Sequence, residues 1–95
     1  MFPEAKYTPK ILNTWRTSRL GSLYIALVQL ADRMPNGHSQ LEMVTDVLYS
    51  RPTDETFPVY QEILRQIDYY VRTEKFEDAA IFRNVQQQFY LHILA

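Results

Sequence analysis

Apolar residues recur at steps of three and four along most of the chain, and this spacing constrains the fold more than any other feature. One run comprises Leu20, Leu23, Leu27, Leu30 and Met34. A later run comprises Phe57, Tyr60, Leu64, Ile67 and Val71. Side chains at this spacing share one face of an α-helix, whereas a half-buried strand needs strict alternation, which no stretch of any length shows. The sequence therefore predicts an all-α fold.

Prolines, glycines and capping residues divide the apolar runs into four predicted helices. Thr8 followed by Pro9 is typical of a helix start, and we expect one helix to continue from there through a bend at Gly21. The predicted joins are residues 35–38, 51–57 and 73–75. Ser39 and Glu42 are spaced as a capping box at the start of the second helix.

The helices are expected to form a single small domain of 95 residues. Residues 1–55 would hold helices 1 and 2, and residues 56–95 would form an antiparallel helical hairpin. A chain of this size buries only roughly 60–65% of its unfolded surface, so a partner or a second copy could supply part of its stability.

The composition lacks the residues on which several common classes of enzyme depend. The chain has no cysteine and two glycines, which excludes disulfides, thiolate nucleophiles and cysteine-ligated metals, and no glycine-rich phosphate loop occurs. Its two histidines form no HExxH pair. His38, Glu42 and Asp46 follow at steps of four, but His38 is expected to precede its helix. We therefore predict no catalytic residue, metal ligand or cofactor.

Charge is distributed unevenly along a chain whose net charge is −1. Residues 1–33 are basic and residues 34–62 are acidic, a pattern that favours internal complementarity or an oriented encounter with a partner. The candidate nucleic-acid contacts are Lys6, Lys10, Arg16 and Arg19. Trp15 lies among them as a possible stacking residue, but its phase with Leu12 favours an anchoring position in the core.

Nothing at the start of the chain has the pattern of a secretory signal. Proline and glutamate come before any apolar run, and the most apolar stretch, residues 20–31, is too short to span a membrane. We therefore expect a cytoplasmic protein.

The most specific local pattern opens the last predicted helix. It reads Phe76-Glu77-Asp78-Ala79-Ala80-Ile81-Phe82-Arg83-Asn84. This segment resembles the UVR motif, close to F-E-x-A-A-x-L-R-D, of the bacterial excision-repair proteins UvrB and UvrC and of some Clp protease ATPases and their regulators. Asn84 departs from the pattern, which has an acidic residue there. With the preceding helix, the resemblance covers roughly residues 58–90.

The resemblance implies a helical hairpin that pairs head to head with another hairpin and carries out no catalysis. The predicted partner-binding residues are Phe76, Glu77, Ala79, Ala80, Phe82, Arg83 and Phe89. Phe82 and Phe89 would lead an apolar strip with Arg83 and Glu77 as charged selectors, and small side chains at 79 and 80 would let the two arms approach closely.

Two hypotheses of function follow from these patterns. The first is a non-enzymatic adaptor or regulator that docks a protein partner, or its own copy as a homodimer, through the C-terminal hairpin. The alternative is a nucleic-acid-associated accessory protein that uses the basic N-terminal segment. Binding that falls steeply with ionic strength would favour the second.

Overall fold

The computed structural model describes the backbone of residues 7–94 and the side chains of residues 7–93. Its elements are α1 (Pro9–Leu12), α2 (Thr17–Leu30), a 3-10 helix (Ala31–Arg33), α3 (Gly37–Tyr49), α4 (Thr53–Arg72) and α5 (Phe76–Leu94). Residues 7–94 contain no strand, and the all-α prediction is confirmed.

The first predicted helix is split in two, so the described chain has five α-helices rather than four. The Thr8 hydroxyl accepts a hydrogen bond from the Ile11 N–H at 3.2 Å, which confirms the predicted cap. The break, however, lies at residues 13–16, and Gly21 is inside α2. α1 ends after one turn, and α2 begins only after Arg16, whose backbone is extended. Arg51 holds this corner by donating to the Asn13 carbonyl at 3.1 Å.

The join between α2 and α3 differs in detail from the prediction. Asn36 adopts the left-handed conformation with φ 59°, and α3 begins directly after it at Gly37. Ser39 is therefore inside the helix, so the predicted capping box with Glu42 is wrong. A side chain at position 37 would collide with the backbone of Ala31, because a Cβ there would stand 2.2 Å from the Ala31 carbonyl oxygen.

The join before α4 differs from the prediction, whereas the join after α4 agrees with it. The join before α4 is shorter than predicted, because the helix starts at Thr53 and includes Pro58. Pro58 is the sixth residue of the helix, so its missing N–H removes the backbone hydrogen bond to the Asp54 carbonyl, and the helix continues through it. The reversal at residues 73–75 is confirmed, and Glu74 takes the left-handed conformation there with φ 60°.

One hydrophobic core joins the five α-helices. Its buried members are Leu12, Leu20, Tyr24, Leu27, Val44, Val47, Leu48, Val59, Ile63, Tyr70, Ala79, Phe82 and Phe89. α4 and α5 pack against each other as an antiparallel hairpin, and α2 crosses α4 on one side of it. The hairpin therefore has an inner face, covered by the N-terminal half of the chain, and an outer face.

Candidate surface of the helical hairpin

The two phenylalanines expected to lead a partner-binding strip lie in the core. Phe82 is 1% exposed and Phe89 is fully buried. The Phe82 ring stacks on Tyr70 with centroids 5.6 Å apart, and Phe89 packs against Tyr24 of α2 and Tyr49 of α3. The prediction for these two residues is wrong, because the N-terminal half of the chain already covers the face on which they lie.

The adjacent alanines of α5 are not equivalent. Ala79 is buried, whereas Ala80 is exposed. One residue step turns a helix by about 100°, so only one of two neighbours can lie against α4. The prediction that both alanines lie between the two arms is therefore wrong at Ala80.

α4 carries two apolar stripes rather than the single buried one that the sequence predicts. Val59, Ile63 and Tyr70 face the core. The residues that the sequence pattern predicted as the buried face lie beside that stripe. Phe57, Leu64 and Val71 are all exposed, and Tyr60 and Ile67 are half-buried at the boundary.

Each hairpin helix carries three exposed residues that are spaced seven apart. On α4 these are Phe57, Leu64 and Val71, and on α5 they are Phe76, Arg83 and Tyr90. Seven residues make almost two full turns, so each set forms a line along its helix. Leu64, Phe57, Val71 and Tyr90 were not identified as site residues from the sequence, and the seven-residue repeat was the signal that could have found them.

Tyr60 connects the two lines. Its ring centroid lies 6.1 Å from that of Phe57 and 6.0 Å from that of Tyr90. Its hydroxyl also accepts a hydrogen bond of 3.0 Å from Gln86 of α5. The two lines are therefore neighbours on one side of the hairpin, and we call Phe57, Leu64, Val71, Phe76, Arg83 and Tyr90 together the outer stripe.

Arg83 is the charged member of the outer stripe and lies at the centre of its α5 line. The ion pairs among the described residues are Asp32 with His38, Glu62 with Arg65, and Asp68 with Arg72. None of them includes Arg83. Glu77, the other predicted selector, is exposed on α5 but does not belong to the seven-residue repeat.

Trp15 contacts one basic residue of the N-terminal segment. The Arg19 guanidinium lies 3.7 Å from the ring centroid of Trp15, and Tyr7 meets the same ring edge to face at 5.2 Å. Trp15 is half-buried and packs against the core, which agrees with its anchoring role. Lys10 and Arg16 are exposed. Lys6 lies outside the described residues.

Both histidines make local contacts. His38 lies inside α3, contrary to expectation, and its Nε2 is 2.6 Å from an Asp32 carboxylate oxygen. His92 stacks on the Tyr49 ring at 4.0 Å and bonds the Tyr49 carbonyl at 2.8 Å, which ties the end of α5 to the end of α3. Within residues 7–94, no three His, Cys, Asp or Glu side chains are placed to hold a metal ion.

The tyrosines at the centre of the core are held neutral. Burial raises the pKa of Tyr24 far above its usual value, and the neighbouring Tyr49 adds to the effect. Burial also raises the pKa of Tyr49, partly opposed by its hydrogen bond with Tyr24. Phenols that stay protonated at neutral pH pack and donate hydrogen bonds but are poorly suited to acid–base chemistry.

A groove between α2 and α4 has a volume of about 290 Å³. Two carboxylates line it, and both already have partners. Glu55 accepts a hydrogen bond of 2.9 Å from Thr17, and Glu62 pairs with Arg65 and accepts from Gln66 at 3.3 Å. The groove is small for a ligand site, and its two carboxylates are engaged within the chain.

Comparisons with protein-family models, with curated proteins and with solved structures found no match to this chain. The resemblance of residues 58–90 to the UVR motif therefore stays a prediction from the sequence. Among residues 7–94, every helix is too short or too polar to span a bilayer.

Proposed function

We propose that this chain is a non-enzymatic protein–protein interaction adaptor that docks a helical partner through the outer stripe of its C-terminal hairpin. One observation carries the proposal: the five apolar side chains of the stripe are 36–63% exposed and lie side by side on two neighbouring helices. Scattered apolar side chains are ordinary on a protein surface, but several of them on one side of two adjoining helices are typical of an interaction site.

The shape of the stripe suits a helical partner. α4 has 20 residues, which corresponds to a length of about 30 Å. Two parallel lines of apolar side chains with a seven-residue repeat are the pattern that helices use to pack against other helices. A partner helix or hairpin lying along the stripe would cover all five side chains at once.

The resemblance to the UVR motif supports the same kind of interaction through different residues. It implies pairing between hairpins, and Phe76, Glu77 and Arg83 of the resembling segment are on the surface. We propose Leu64 and Tyr90 as the apolar contacts. Phe82 and Phe89 are buried and could reach a partner only if the domain unfolded.

The proposal is tested by affinity capture with two variants matched in size and exposure. Leu64 is 42% exposed within the stripe, and Ile81 is 47% exposed about 160° around α5 from Arg83. Both are changed to Ser. We expect Leu64→Ser to lose the captured partner or self-association and Ile81→Ser to retain it, with equal helicity by circular dichroism. Equal capture by both variants would refute the proposal.

A further inference from the structure

We infer that residues 7–16 form a strap that opens as a unit while α2 to α5 stay folded, and that Arg51 is the clasp that keeps the strap closed. The inference is independent of the proposed docking function. It comes from the way in which this segment is attached to the rest of the chain.

The backbone of the strap bonds mainly to itself. The amides of residues 12 and 13 donate to carbonyls four residues earlier, and those of residues 14 and 15 donate to carbonyls three residues earlier, at 2.9–3.0 Å. Its helix, α1, is a single turn of four residues. Isolated helices shorter than about 12 residues are rarely stable in water, so the strap keeps its shape only while it is docked.

Little of the strap is buried. Leu12 is fully buried and belongs to the hydrophobic core, and α1 packs against α3. Tyr7 and Trp15 are half-buried, and the other residues of the strap are exposed. A segment with little buried apolar surface and exposed backbone hydrogen bonds opens more readily than the core of the same domain.

Arg51 fastens the strap from a distant part of the chain. Its guanidinium donates to the carbonyls of Leu12 and Asn13 at 3.4 and 3.1 Å. Among the residues that the structure describes, these two bonds are the ones that tie residues 7–15 to another element. Bonds from a charged donor are stronger than those between neutral groups, so Arg51 has a large share in holding the strap closed.

The clasp is itself held by the part of the chain that stays folded. The other terminal nitrogen of Arg51 donates to Oγ1 of Thr17 at 3.3 Å, and the buried Thr17 donates to a Glu55 carboxylate oxygen at 2.9 Å. Thr17 begins α2, and Glu55 lies in the first turn of α4. The strap can therefore detach while the guanidinium keeps a partner in Thr17.

Hydrogen exchange of backbone amides, followed by NMR, tests the strap in the unmodified chain. We expect the amides of residues 12–15 to share one protection factor, at least about tenfold lower than that of the buried Ile63 in α4. Low concentrations of urea should accelerate exchange at Ile63 but not at residues 12–15, because a local opening exposes little surface.

Variants of Arg51 test the clasp. A hydrogen bond to a charged group contributes enough to change an opening equilibrium about tenfold, so Arg51→Ala should accelerate exchange at residues 12–15 at least tenfold relative to Ile63. Arg51→Lys keeps the charge but loses the forked geometry, and it should act in the same direction. Arg33→Ala changes the net charge as Arg51→Ala does, but Arg33 is exposed at the end of the 3-10 helix, and the ratio should not change.

Each part of the inference has its own contradicting result. Equal protection and an equal response to urea at residues 12–15 and Ile63 would show that the segment opens only with the whole domain. Unequal protection among residues 12–15 would show fraying rather than opening as a unit. If the Arg51 variants accelerate exchange at residues 12–15 no more than Arg33→Ala does, or accelerate it equally at Ile63, Arg51 is not the clasp of the strap.

Discussion

Gly21 of α2 lies directly against Val59 of α4. A Cβ at position 21 would stand 2.6 Å from Cγ2 of Val59, well inside the contact distance of two carbon atoms. Because glycine has no side chain, the two helices cross closely here. The N-terminal half of the chain packs on the inner face of the hairpin. This crossing determines which hairpin residues are buried and leaves the outer stripe uncovered.

Gly21→Ala tests this crossing. Alanine favours a helix over glycine by about 1 kcal/mol, but the added methyl group meets a branched side chain with one preferred rotamer, and overpacking costs about 1–3 kcal/mol. The difference is a net loss of up to about 2 kcal/mol in the free energy of unfolding, measured with urea. In a Val59→Ala background the same change should become stabilising, and an unchanged loss there would contradict the contact.

The adjacent alanines of α5 provide a second test. Ala79→Leu should lower the free energy of unfolding by about 1–3 kcal/mol, since the larger side chain would have to enter the contact between the hairpin arms. Ala80→Leu should change it by less than about 0.5 kcal/mol, because position 80 faces solvent. Thermal melting of both variants measures the two losses of stability. Equal losses would contradict the orientation of α5 that buries Ala79 and exposes Ala80.

The buried tyrosines predict a loss of stability at alkaline pH. The pKa of Tyr24 is raised in the folded state, so the unfolded chain releases this proton first. The stabilisation is complete below about pH 10 and is lost as the pH rises beyond that value, with a slope of up to about 1.4 kcal/mol per pH unit for each such group. Urea unfolding between pH 8 and 11 measures the slope, which Tyr24→Phe should reduce. If Tyr24→Phe leaves the slope unchanged, Tyr24 is not the group whose ionisation destabilises the fold at alkaline pH.

Much of the fold follows from local patterns in the sequence. Three-four spacing predicted the helical class, and the restart of the apolar phase at Phe76 predicted the reversal at residues 73–75. The break at residues 13–16 has no such signal, since it contains neither Gly nor Pro. It is held from a distance by Arg51, which bonds a carbonyl 38 residues earlier in the chain.

The surface was harder to predict than the helices. α4 has one apolar stripe through Ile63 and a second through Leu64, and periodicity alone does not distinguish which is buried. That choice is made by the packing of α2 at Gly21, which is a tertiary contact. On α5, Phe82 stacks on Tyr70 of α4, and the turn of about 100° per residue puts its neighbour Arg83 on the surface.

The central claim is that the outer stripe is covered by a partner, and thiol protection tests it most directly. The chain has no cysteine, so Leu64→Cys and Ile81→Cys each carry one reporter thiol in a similarly exposed position. Both are exposed to a thiol-reactive dye, in buffer and in a native lysate of the source cells. We predict that labelling at position 64 slows at least tenfold in the lysate while labelling at position 81 does not. Equal labelling rates at the two positions in the lysate would contradict the account.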